Sequence, residues 1–245
     1  MKRLQTTAHR GYSEIAPENT LISFRMAMEH NPDYVECDVH QTSDGEIVVM
    51  HDGSVDRTTD GSGQISGMDI DTIWRLDAGR WFHPDFAGEK VPLLSELLDL
   101  CRGKVKVMVE IKDEWVEENV YRLIGRAGML DGVMIISFHH SVGVRLKSLD
   151  PEIPFARLIW SDHPIHGNEA EALADTLAAG NASILGLNYG ATTQELVDVM
   201  HGHGMRVSVW TVDTADDILK MARLGVDIIT SNDIVLLVKT LAEMK

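Results

Sequence analysis

Cysteine is nearly missing from this sequence: Cys37 and Cys101 are the only two in 245 residues. Two thiols cannot build the disulfide framework of a small secreted scaffold, and a chain this long buries an adequate core without one. Cations are scarce too. Lys and Arg total 22 against 38 Asp and Glu, a formal net charge of −16. Such a surface repels nucleic acid and anionic membranes, so neither is expected as a partner. No apolar run approaches the roughly 20 residues that cross a bilayer, and the first nine residues hold no apolar stretch of the secretory kind. The expected setting is cytoplasmic and reducing. Repeats, low-complexity tracts and Pro-rich linkers are also lacking, so residues 1–245 are expected to form one domain. The content of 44% hydrophobic and 24% charged residues leaves no case for disorder.

What is present is alternation. Strand-like runs fall at 4–8, 34–39, 47–50, 105–111, 133–138, 155–160, 183–187, 206–211 and 227–230. Amphipathic stretches lie between most of them, at 19–30, 116–128, 168–179, 193–203 and 215–224. A strand followed by a helix, many times over, predicts a parallel sheet, either an open doubly wound one or a closed (β/α)8 barrel. The chain length suits the barrel. One connection breaks the rhythm. Residues 53–93 are rich in Gly, Asp, Ser and Thr, with a single short helical candidate at 69–76. A connection that long is expected to be functional or an inserted subdomain, here set over the barrel mouth.

Chemistry gathers at strand ends. Glu36 and Asp38 stand two apart on a strand and so share a face. At about 4 Å and an effective dielectric near 20, two such charges repel by roughly 4 kcal/mol. A divalent cation would relieve this, and so would a Lys or Arg partner. The spacing recurs in Glu110 and Lys112, at the end where barrel active sites are assembled. Glu110 completes a three-carboxylate set, and Lys112 offers a point charge for a phosphate oxygen. His9 and His51 each end a strand beside a charged neighbour, Arg10 and Asp52. A single strand-end histidine is usually structural; two suit a general acid and a general base near neutral pH. Arg10 adds a forked donor for phosphate.

These residues sit in a series that resembles the glycerophosphodiester phosphodiesterase family. His9-Arg10-Gly11 is followed by Pro17-Glu18-Asn19-Thr20 with Phe24, Glu36-x-Asp38, Asp44-Gly45, His51-Asp52 and Asp56-Arg57-Thr58-Thr59. Asp77-Ala78-Gly79, Glu110-Ile111-Lys112, Ser137-Phe138, Trp210-Thr211-Val212 and Gly225-Val226-Asp227 continue it across nearly the whole chain. The resemblance implies a (β/α)8 barrel with a small insertion, and one divalent cation, Ca2+ or Mg2+, held by Glu36, Asp38 and Glu110. It implies His9 and His51 as the acid–base pair, with Arg10 and Lys112 on the phosphate and Trp210 as a pocket wall. The implied reaction yields sn-glycerol 3-phosphate and an alcohol from a small-molecule glycerophosphodiester. Phospholipase D-like action on a phospholipid and a non-catalytic ligand-binding barrel are the alternatives, and a homo-oligomer is left open.

The series departs from the family pattern at Thr230-Ser231-Asn232-Asp233, which lacks the usual nearby Pro. Residues 160–167, with His163 and His166, carry no family motif. His201-Gly202-His203 resembles a paired metal ligand, but its place at a helix end predicts a surface terminus. His40 shares the face of Asp38 and is expected to begin a loop, while Cys37 should face the helix layer. Trp81 and Phe82 fit either a core anchor for the insertion or a lid.

Overall fold

The computed structural model describes residues 3–244. Strands β1 (Gln5–Ala8), β2 (Tyr34–Gln41), β3 (Ile47–Val49), β4 (Lys106–Ile111), β5 (Val133–Ser137), β6 (Phe155–Ile159), β7 (Ile184–Asn188), β8 (Arg206–Trp210) and β9 (Ile228–Ser231) follow in chain order. The helices are α1 (Leu21–Met28), α2 (Ile70–Ile73), α3 (Leu94–Cys101), α4 (Glu117–Arg126), α5 (His140–Leu149), α6 (Gly167–Ala179), α7 (Gln194–Gly202), α8 (Ala215–Leu224) and α9 (Ile234–Glu243). All strands except β3 run parallel, and β1 pairs with both β2 and β9. That double pairing closes the sheet into a (β/α)8 barrel and excludes the open alternative.

The period-two pattern sorts each strand into two cores. On β2 and β4, Val35, Cys37, Val39, Val107, Val109 and Ile111 pack outward into the apolar layer under the helices. Tyr34 and Met108 turn inward, joining Met134, Ile136 and Leu158 in the plug that fills the barrel. Helix starts follow local capping: Thr20, Thr193 and Thr214 each accept a backbone N–H of the first turn, at the heads of α1, α7 and α8. Helices α3, α5 and α9 fill connections where the sequence pattern singles out no amphipathic stretch. The apolar, β-branched opening of α9 and the Val and Gly of α5 are weak helix formers; docking on the barrel decides their form.

Strand β3 is no stave of the barrel. It runs antiparallel along β2, with Val39 opposite Val49 and His40 opposite Val48. This pairing carries β2 two residues beyond its expected end and draws His40 into the strand, buried, rather than into a loop. Residues 53–93 then form a small lobe with its own core, including Val55, Ile65, Ile73 and Val91 against Val48 and Met50. At Gly79 an added Cβ would fall 1.9 Å from the Phe86 carbonyl oxygen, so the close approach of two turns requires glycine there. The Trp81 indole N–H donates to the Ala78 carbonyl and its ring meets Phe82 edge to face. Neither aromatic lines the barrel cavity. Trp81 and Phe82 pack against each other within the lobe.

Candidate active site

The C-terminal ends of the strands surround a cavity of about 130 Å³. One side is charged, with His9, Arg10, Glu36, His51, Glu110 and Lys112; the other is apolar, with Ile136, Phe138, Leu158 and Trp210 among its walls. Of the catalytic, phosphate, wall and metal residues expected from the sequence, all but Asp38 line it. Asp38 lies just beneath, fully buried, opposite Glu110 in the β2–β4 register.

Glu36, Asp38 and Glu110 each offer a carboxylate oxygen within 4.8 Å of the others. Their protonation follows from burial and neighbours. Burial pushes Glu36 well above the usual carboxylate range, and the charges of Asp38 and Glu110 push it further. Glu110 is raised to about 7 by burial, then by Asp38. Burial would raise Asp38 as well, but Lys112 and Arg10 outweigh it and hold that carboxyl below its ordinary value.

The cations are shared among the acids. Lys112 Nζ lies 2.6 Å from Glu110 Oε1 and 2.9 Å from Asp38 Oδ1. Arg10 donates to Glu18 at 2.9 Å and sets Nε 3.2 Å from Asp38 Oδ2. Both approaches to Asp38 are close ion pairs, Lys112 at Oδ1 and Arg10 at Oδ2. Three buried carboxylates against two cations suit a hard divalent cation. The ion-pair and metal readings of these strands are therefore compatible.

Local backbone positions Arg10. Its φ is 55° and that of Gly11 is 84°, and a Cβ on Gly11 would lie 2.3 Å from Ser23 Oγ. Only glycine fits there, and the tight turn lets the Arg10 N–H donate to Glu36 at 3.0 Å. Asn19, also left-handed at φ 58°, donates from Nδ2 to Asp38 at 2.8 Å.

Both histidines have one ring nitrogen committed. His9 Nδ1 lies 2.7 Å from Asn232 Oδ1. The Asn232 amide is oriented by Asp213, which accepts from its Nδ2 at 2.7 Å. A carboxylate only accepts, so the Asn232 oxygen faces His9, and Nδ1 must carry the hydrogen. His9 Nε2 is then free, 3.9 Å from Glu36 Oε2. Burial, and then Arg10, lowers His9 to about 4, so it is neutral near pH 7. His51 Nδ1 donates to Asp52 at 2.6 Å, and Arg57 holds that carboxylate at 2.7 Å while reaching Glu18. Arg57 is the bond of the 53–93 lobe to the site. Burial lowers His51 as well, against the pull of Asp38.

Asn232, Asp213, Asp52 and Arg57 are supporting residues that escaped the sequence reading in these roles. Asn232 stood at the departure from the family pattern, and Asp52 and Arg57 lay inside its motifs, which was the available signal. His40 is another, bridging Asp113 at 2.8 Å and the His51 carbonyl at 3.1 Å. His201 and His203 are surface residues paired with Asp227 and Glu171, and Cys37 packs toward the helices.

The profile of the Glycerophosphoryl diester phosphodiesterase family matches residues 9–236. A glycerophosphodiester phosphodiesterase of Caldanaerobacter subterraneus subsp. tengcongensis is 35% identical over 234 residues, 92% of this chain and 93% of that protein. One from Bacillus subtilis is 32% identical over 250 residues, 94% of this chain and 84% of that protein. Among solved structures, a glycerophosphodiester phosphodiesterase from Agrobacterium tumefaciens superposes with TM-score 0.84 at 28% identity, covering 97% of this chain and 100% of the other. An Oleispira antarctica phosphodiesterase in complex with the product sn-glycerol-3-phosphate superposes with TM-score 0.87 at 26% identity, covering 97% and 96%. With its barrel, its acidic cluster and a family match over almost its full length, the chain belongs to the glycerophosphoryl diester phosphodiesterase family.

Proposed function

We propose that this protein hydrolyses glycerophosphodiesters to sn-glycerol 3-phosphate and an alcohol. One divalent cation, Ca2+ or Mg2+, would be held by Glu36, Asp38 and Glu110, with His9 and His51 exchanging protons. The observation that carries the reading is the convergence of three buried carboxylates with two histidines on one cavity. A cation there supplies charge to offset the phosphate oxygens. Arg10 and Lys112 add donors to those oxygens and keep the phosphate in line. The related proteins named for this activity, one with the product bound, support the assignment.

In the proposed course, one histidine accepts a proton from the glycerol 2-hydroxyl as its oxygen attacks phosphorus. The other protonates the alcohol oxygen as the P–O bond breaks. The neighbouring hydroxyl gains a large proximity advantage over free water. The resulting cyclic 1,2-phosphate is opened by water, the histidines exchanging roles. Trp210 supplies an apolar wall of the cavity. No helix among the described residues is long and apolar enough to cross a membrane. We keep to a cytoplasmic setting and to one domain over 1–245, with 53–93 inserted. Turnover of glycerophosphocholine by purified protein, releasing glycerol phosphate, tests the reading; absence of hydrolysis with Ca2+ or Mg2+ supplied would overturn it.

A further inference from the structure

Among the described residues, the large exposed aromatics are Trp74, Trp81, Trp115, Phe138 and Trp160. Trp115, 76% exposed, carries the Arg145 guanidinium 4.0 Å from its ring centroid, and Trp81 donates its indole N–H to the Ala78 carbonyl. Trp160 is different. It follows β6 at the barrel rim and is 61% exposed, yet it is held from several sides. Its indole N–H donates to Asp162 at 2.8 Å. The next residue, Ser161, is clamped by Asn188 at the end of β7, which accepts its N–H and donates to its carbonyl, both at 2.9 Å. Fixing an exposed indole costs side-chain freedom with little burial in return. Its position explains the arrangement.

The Trp160 ring centroid is 5.7 Å from that of Trp210, tilted by 42°, and Phe138 meets Trp210 at 5.7 Å and 84°. Phe138 and Trp210 line the cavity on the wall away from the acids, and Phe138 is 40% exposed. Trp160, itself outside the cavity lining, thus extends the aromatic wall of Phe138 and Trp210 through its contact with Trp210, with the Asp162 carboxylate at its indole N–H. Among the described residues, no Lys or Arg stacks on any of the three; the cation–π contacts fall on Tyr34 and Trp115. Ring faces carry negative electrostatic potential, and neighbouring rings around an acid favour an alkylated ammonium group over a neutral one.

We propose that Phe138, Trp160 and Trp210, with Asp162, form a subsite on the barrel rim for a leaving alcohol that carries a quaternary ammonium group. The inference rests on the phosphodiesterase reading and deepens it. With the phosphate at the charged end, the alcohol runs along the apolar wall and its cation meets the rings. The segment 160–167, which carries no family motif, thereby acquires a role in substrate choice.

The test uses the metal-loaded full chain with glycerophosphocholine and glycerophosphoglycerol. The ratio of their kcat/KM values should fall about 5- to 30-fold in Trp160→Leu, the range of a partly desolvated cation–π contact, and much less in Trp160→Phe. Binding is followed separately by saturation-transfer NMR with choline and its uncharged isostere 3,3-dimethylbutan-1-ol. Choline should bind in preference to the isostere, and Trp160→Leu should abolish that preference. An unchanged substrate ratio, or equal binding of choline and its isostere, would overturn the subsite. Trp160-dependent choline binding without hydrolysis of either substrate would leave the subsite standing and reject the phosphodiesterase reading instead.

Discussion

Asn232 reaches His9 across 223 positions of chain, its Oδ1 2.7 Å from Nδ1 of the ring. With Asp213 fixing the amide, this bond sets the His9 tautomer and turns Nε2 toward the acids. Asn232→Leu should therefore lower kcat by roughly 10–100-fold, the usual scale for a residue that orients a reactive one. Metal affinity, read by calorimetry, should change little. Near-normal kcat in Asn232→Leu would remove Asn232 from the mechanism.

Acid–base and metal roles separate by mutation. His9→Ala and His51→Ala should each reduce kcat by roughly 10²–10⁴-fold while the protein still binds its cation. Glu36→Ala should lose the cation itself. If His9→Ala lost metal as completely as Glu36→Ala, His9 would have to be counted as a ligand.

Chelation should abolish turnover and added Ca2+ or Mg2+ should restore it, since oxygen-only ligands favour hard cations. Full activity in metal-stripped protein would refute the requirement.

Metal affinity should also depend on pH in a defined sense. Glu110 is raised to about 7, by burial and then by Asp38, so a proton occupies it below that pH and competes with the cation. Affinity should weaken as pH falls below about 7, with proton uptake on metal release, measured by titration calorimetry in buffers of differing ionisation enthalpy. The same shift has a stability consequence in metal-free protein. Between its ordinary 4.5 and about 7, Glu110 holds a proton in the folded chain that the unfolded chain releases, so its contribution to stability falls as pH rises through that window. A metal affinity flat from about pH 5 to 8 would contradict the assignment.

The nucleophile is testable with a substrate analogue lacking only the glycerol 2-hydroxyl. The intramolecular route predicts collapse of kcat while the analogue still competes for binding. Turnover of the analogue near the normal rate would assign the attack to water.

Much of this was legible in the linear sequence. Strand periodicity places Glu36 with Asp38, and Glu110 with Lys112, on inward faces, because alternation is a property of the extended backbone itself. Cys37 points outward for the same reason. The order of motifs carried the family, and strand–helix alternation carried the parallel sheet. Tertiary structure alone decided which distant groups meet. Parallel pairing of β2 with β4 sets the register that faces Asp38 with Glu110. The antiparallel return of β3 brings His51 back toward the level of Asp38, where the Met50 N–H donates to the Asp38 carbonyl at 3.0 Å. It also keeps His40 in the strand. Asn232 reaches His9 because β9 closes against β1. The lobe at 53–93 builds its own core, with Val55, Ile65, Ile73 and Val91 packed on Val48 of β3 and on Met50. Spacing along a chain encodes which face a residue takes. Hydrogen bonds between segments hundreds of residues apart depend on closure of the sheet, which no local pattern records.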